Sequence, residues 1–236
     1  MPELLIEVVR ADLHKHIEPG RSASGQKYFK GGILIYGVKT PVVNQISKSF
    51  FPEIEALEKA EVWRLCEALW ASGYLEESLV ACNWSYRLRK KFSREDFYVF
   101  ETWLSRYVNN WASCDTLCNH TIGTVVEKNP ELIEVLMRWA GAENRWLRRA
   151  SAVTLIVPAR KGLFLSGILQ IAEILLTDQD DMVQKGYGWL LKVAAEVYQE
   201  EVFDFVVNRR HKMPRTALRY AIEKMPAGLK AAAMRK

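Results

Sequence analysis

Apolar residues recur with a helical period along nearly all of this 236-residue chain, and no stretch alternates apolar and polar residues between hairpin turns. That pairing of signals restricts the fold more than any single motif does, because it predicts helices throughout and leaves no sheet to build on. L-L-I-E-V-V-R-A-D-L begins one helix. E-V-W-R-L-C-E-A-L-W-A-S sets Val62, Leu65, Cys66 and Leu69 on one face and stops near Gly73. Thr40 reads as an N-cap, with Pro41 in the first turn of the helix it opens. Ser93 and Asp96 form a capping pattern before F-Y-V-F-E-T-W-L, while Asn129-Pro130-Glu131 and Pro214 mark two more starts. The run G-I-L-I-Y-G-V at 32–38 is strand-like in composition. A lone strand has no partner, so a buried loop or turn is expected there.

Roughly a dozen helices with short connections imply helix hairpins stacked side by side. Trp111, Trp146 and Trp189 fall 35 and 43 residues apart, close to the 40–47 residues of one HEAT-type helix pair. No Gly/Ser/Pro-rich linker interrupts the pattern, so residues 1–236 are expected to form one all-α repeat domain. Trp63, Trp70, Trp84, Trp103 and Trp139 are expected in the packing between helices. The N-terminus carries Glu3 and Glu7 where a signal peptide would be basic and then apolar. No apolar run approaches the roughly 18 residues that span a bilayer. A cytosolic protein is expected, with no membrane partner.

Hydrophobic residues at 49% and charged residues at 26% are the proportions of an ordinary folded domain. The cysteines Cys66, Cys82, Cys114 and Cys118 form no disulfide framework. Cys114 and Cys118 with His120 lack the second Cys/His pair that a zinc site uses, so buried, reduced thiols are expected and no metal. A Cys118–His120 nucleophile pair fails on geometry, since i and i+2 diverge on a helix. Phosphate-binding glycine loops, G-x-S-x-G and H-E-x-x-H are all missing from the sequence. The net charge of +5 is unevenly spread. Residues 19–52 contain no acid, R-L-R-K-K-F-S-R and N-R-W-L-R-R are basic clusters, and Glu223 is the only acid from Arg209 to Lys236. Any one cluster could be a solvated helix face. Four of them fit a protein that holds a phosphate backbone at several points.

The stretch N-N-W-A-S-C-D-T-L puts Trp111 and Asp115 four residues apart, one turn along one helical face. Spacing alone permits either core plus cap or a binding surface beside a catalytic charge. K-Y-F-K-G-G-I-L-I-Y-G-V-K-T-P, W-A-S-C-D, N-R-W-L-R-R-A-S-A-V and V-Q-K-G-Y-G-W-L-L-K, taken in order from about residue 27 to residue 225, resemble the signatures of the AlkD-like DNA glycosylases. The resemblance implies an α-α superhelix of HEAT-like hairpins with a concave basic face that holds duplex DNA containing alkylated purines. It places the family's catalytic aspartate on Asp115 and its aromatic contacts on Trp111 and Trp189. Arg149 takes the arginine position of the W-x-x-R signature, and Arg148 and Lys30 are further candidates for the DNA backbone. It implies excision of N3- or N7-alkylated purines by a monomer that uses no cofactor.

That chemistry suits these residue types. An N3- or N7-alkylated purine is already cationic and leaves readily, so the positive charge that needs support develops on the sugar, where a carboxylate stabilises it. Indole faces attract the same cation. The chain departs from the family's S-W-W-D-x-V-D pattern by having Asn110, Ala112 and Cys114 at three of its positions. The competing expectation is a HEAT-repeat module that binds DNA or a protein without chemistry. An acid facing phosphates favours the enzyme, because it repels DNA unless it has a chemical role.

Overall fold

The structure, a computed structural model, describes residues 2–235; Lys236, at the end of the basic C-terminal stretch, lies outside them. Among the described residues the secondary structure is helical, and the only β pairing is one parallel bridge between Leu34 and Tyr74. The chain divides into two compact units, one ending at Leu117 and the other beginning at Cys118.

The first unit contains α1 (Pro2–Lys15), α2 (Arg21–Gln26), α3 (Thr40–Ser49), α4 (Phe51–Glu55), α5 (Lys59–Ala71), α6 (Leu75–Arg87), α7 (Asp96–Arg106) and α8 (Trp111–Thr116). Its helices pack in neighbouring pairs, with α6 against α3, α5 and α8. Trp84 of α6 is fully buried, and its indole N–H donates to Ser47 O of α3 at 3.0 Å. Trp63 of α5 lies edge-on to Phe100 and Trp103 of α7, and its indole N–H donates to Asp96 at 2.9 Å. Burying these indoles removes a large apolar surface from water while each N–H keeps a partner, which is the condition for a stable core tryptophan. Trp70, Trp103 and Trp139 are buried as well, Trp70 without a hydrogen-bond partner for its N–H among the described residues.

Two caps differ in detail from the expectation. Lys39, not Thr40, occupies the N-cap of α3, without a side-chain bond, and Thr40 is the first helical residue beside Pro41. At α7 the bond runs backwards: the Asp96 carboxylate accepts from Ser93 N at 2.7 Å, the reaching-back half of a capping box. The 32–38 run is not helical, is buried at Ile33, Gly37 and Val38, and meets the start of α6 through the Leu34–Tyr74 bridge and through backbone N–H bonds to Glu76.

The second unit contains α9 (Gly123–Lys128), α10 (Ile133–Ala140), α11 (Arg145–Val153), α12 (Ile156–Arg160), α13 (Leu165–Ile174), α14 (Asp181–Ala194), α15 (Gln199–Arg209), α16 (Arg215–Ala221) and α17 (Ala227–Met234). Its centre is α14, which packs on α11, α12, α13 and α16. Val183, Tyr187, Leu190, Leu191 and Ala194 of α14 are buried, and the Tyr187 hydroxyl donates to Leu176 O at 3.0 Å. Both units therefore use the same solution, with amphipathic helices burying one stripe against a neighbouring pair.

Candidate functional site

Helix α8 starts where it does because of Asn110. That residue is extended (φ −148°, ψ 159°), and its side-chain oxygen accepts from Ser113 N at 2.9 Å, a standard N-cap bond. Trp111 follows as the first helical residue and is 38% exposed. One turn on, Asp115 is half-buried, whereas Ser113 and Cys114 point into the core. The face expected from the i, i+4 spacing is therefore present, with the indole and the carboxylate on it and the core behind.

Trp111 is braced by the segment that follows α2. Its indole N–H donates to Tyr28 O at 3.3 Å, and its ring stacks on Phe29 at 5.6 Å and 19°. Tyr28 itself is 75% exposed, and Lys30 beside it is exposed too. Tyr28 and Phe29 were not singled out from the sequence. The signal available was K-Y-F-K, an aromatic pair between lysines in an acid-free stretch, but nothing local tied it to a residue more than eighty positions away. Two residues beyond Asp115 the backbone enters a π-helical turn, Leu117–Ile122. Such turns are rare and recur at functional sites. All four cysteines are buried and none is in a disulfide; Cys118 is fully buried while His120 is exposed. Among the described residues no group of three or more His, Cys, Asp or Glu side chains is placed to hold a metal ion.

In the second unit, three arginines of α11 grip the start of α14. Arg145 donates to Asp180 at 2.9 Å, and Asp180 in turn caps α14 by accepting from Met182 N at 2.8 Å. Arg148 donates to Asp178 at 2.6 Å and to Ala142 O and Glu143 O at 2.9 and 2.7 Å. Arg149, only 5% exposed, donates to Met182 O and lies beneath Gly186, where an added Cβ would sit 3.3 Å from its Cγ. Arg148 and Arg149, both candidates for the DNA backbone, thus already have protein partners. Trp189 lies two turns along α14, half-buried, and among the described residues it has no hydrogen bond or ring contact.

The chain is thus all-α, with an exposed indole and a half-buried carboxylate one turn apart on α8. The sequence matches the DNA alkylation repair enzyme family over residues 9–225, and the chain belongs to that family. Its role is therefore in DNA alkylation repair. A solved structure described as a predicted DNA alkylation repair enzyme from Enterococcus faecalis shares the fold. The TM-score is 0.80 at 19% identity, covering 89% of this chain and 97% of that one. No curated protein matches the sequence. Among the described residues no helix is long and apolar enough to cross a membrane.

Proposed function

We propose that this protein is a monofunctional DNA glycosylase that removes cationic N3- or N7-alkylated purines from duplex DNA. The observation that carries this reading is the face of α8, where Trp111, 38% exposed, and Asp115 stand one turn apart above a fully packed core. In the reaction, the bond from C1′ to the purine breaks with its electron pair going to the base, which leaves neutral. Water adds at C1′ and loses a proton. The Asp115 carboxylate stabilises the cationic sugar between these events and orients the water. The face of Trp111 packs on the lesion's sugar and backbone, and in the second unit Trp189 offers an indole of its own to the DNA.

Lys30 and the exposed arginines of the C-terminal helices supply phosphate contacts. Arg215 and Arg219 lie i, i+4 on α16, opposite its buried Ala217, Leu218 and Ala221. Both are exposed, and among the described residues neither makes an ion pair. Arg148, held by Asp178, presents only its outer edge to a phosphate. Arg149 serves the DNA through the start of α14, the helix that carries Trp189.

The test is release of 7-methylguanine and 3-methyladenine from methylated duplex DNA by the wild type and Asp115→Asn. The wild type is expected to release both bases, and the variant to bind DNA while releasing them at least about a hundredfold more slowly, the scale of losing one preorganised electrostatic group. Wild-type binding without release refutes the enzymatic reading. Equal release by both proteins refutes the role given to Asp115.

A further inference from the structure

Two neighbouring carboxylates, Glu76 and Glu77, open α6, and both are buried, at 2% and 0% exposure. An ionised carboxylate out of water is strongly unfavourable unless its oxygens are filled with donors. Both are filled, Glu76 by the backbone of residues 36–38 and Glu77 by Arg10 of α1 together with the Tyr36 hydroxyl. Glu76 accepts backbone N–H bonds from Tyr36 at 3.0 Å, Gly37 at 2.8 Å and Val38 at 3.0 Å. Glu77 takes the Arg10 guanidinium at 3.0–3.1 Å and the Tyr36 hydroxyl at 2.6 Å. Burial, and then that bond to Glu77, pushes the Tyr36 phenol far above its ordinary range, so it stays an O–H donor. The Tyr36 ring also stacks on Tyr74 at 3.9 Å.

The clamped segment continues into the loop that braces Trp111. Gln26 closes that loop at its base, accepting from Ile33 N at 3.2 Å and donating to Ile33 O. Tyr28 and Phe29, which grip the Trp111 indole, sit between those two anchors. No regular strand ladder holds residues 33–38, so the three N–H bonds to Glu76 are their main backbone anchor to α6, beside the bond from Leu75 N to Leu34 O at 2.9 Å. We infer that Glu76 is a positioning residue: through the backbone of Tyr36–Val38 it sets where Phe29 and Tyr28 meet Trp111, and so how the indole is presented to DNA. The second half of that statement rests on the glycosylase reading; the first half does not.

The test separates them. Protein labelled with 5-fluorotryptophan gives a fluorine resonance for Trp111, assigned by Trp111→Phe, and resonances for Trp84 and Trp103 that report on the core. Glu76→Ala is expected to move the Trp111 resonance in the direction that Phe29→Ala moves it, with Trp84 and Trp103 unchanged. Glu76→Gln, which keeps an acceptor oxygen, is expected to lie between Glu76→Ala and wild type, and it stands in if Glu76→Ala does not fold. An unmoved Trp111 signal in a folded variant overturns the inference, as does a common shift of all three resonances, the mark of general loosening. In base release, Glu76→Ala should lose on the order of tenfold in single turnover, as expected of a misplaced contact, and lose nothing further in a Trp111→Ala background. A Trp111 shift without loss of release upholds the positioning and removes Trp111 from the proposed reaction.

Discussion

Gly188 should be the least replaceable small residue of the second unit. A Cβ at that position would lie 2.7 Å from Tyr220 Cβ, 2.8 Å from Ala217 O and 3.2 Å from Ala217 Cα. Ordinary carbon contacts begin near 3.5 Å, so α16 would have to back away by about 0.8 Å. None of these atoms is the end of a flexible side chain, so the helix moves as a body, and the seam that buries Ala217, Leu218 and Ala221 against α14 opens with it. Against this stands the gain of about 1 kcal/mol for alanine over glycine inside a helix. Overpacking costs about 1–3 kcal/mol, and contact with backbone on the far side puts Gly188 at the upper end. The net expectation for Gly188→Ala is destabilisation by about 2 kcal/mol. Gly186→Ala meets the Arg149 side chain at 3.3 and 3.5 Å, which can yield, and Val153 Cγ1 at an ordinary 3.6 Å, and is expected near neutral. Gly228→Ala meets nothing within 4 Å and should stabilise by up to about 1 kcal/mol. Urea unfolding of the three variants, with hydrogen exchange followed on peptides of α14 and α16, reads the order directly. If Gly188→Ala is as stable as Gly228→Ala, the argument from the close approach is wrong.

The other expectations concern the start of α8 and the exposed face of α16. Asn110→Ala removes the cap bond to Ser113 N and should cost about 1 kcal/mol, with Asn110→Asp restoring most of it; thermal unfolding of the pair checks this. Replacing both Arg215 and Arg219 by alanine should leave stability within about 0.5 kcal/mol and lower the slope of log affinity against log salt by about 2, one phosphate for each residue; an unchanged slope removes α16 from the interface.

The helices were legible because each carries a complete local signal. E-V-W-R-L-C-E-A-L-W-A-S has its stripe, and Gly73 follows with φ +75°, a conformation that ends the helix and that glycine adopts without strain. The cap at Thr40 was displaced by one residue because Lys39 can take extended backbone without offering a side-chain bond, which leaves the sequence no cap residue to show. The run at 32–38 was legible as a segment without a sheet, but its holder was not. Glu76 and Glu77 look like the acidic first turn of an amphipathic helix, which normally faces water. Only the fold reveals that they face inward and that three backbone N–H groups some forty residues earlier fill one of them.

The same limit shaped the reading of the site. On sequence, Asn110, Ala112 and Cys114 were departures from the family pattern around a retained Trp111 and Asp115. In the structure they lie off the face in question. Asn110 is 6% exposed and spends its side chain on the helix cap, Cys114 is fully buried, and Ala112 is half-buried, with its carbonyl taken by the Thr116 hydroxyl at 2.8 Å. A bulky aromatic at 110 would have to displace the cap that starts α8, and a larger residue at 114 would enter a filled core. The departures are thus coupled to how this chain starts and seats the helix, and the i, i+4 face carrying the indole and the carboxylate is left free of them. The aromatic neighbour of Trp111 comes from elsewhere in the chain, where Phe29 supplies the stacked ring and Tyr28 the carbonyl. The ring that stacks on Trp111 lies more than eighty positions earlier in the chain, so the local motif carries no sign of it.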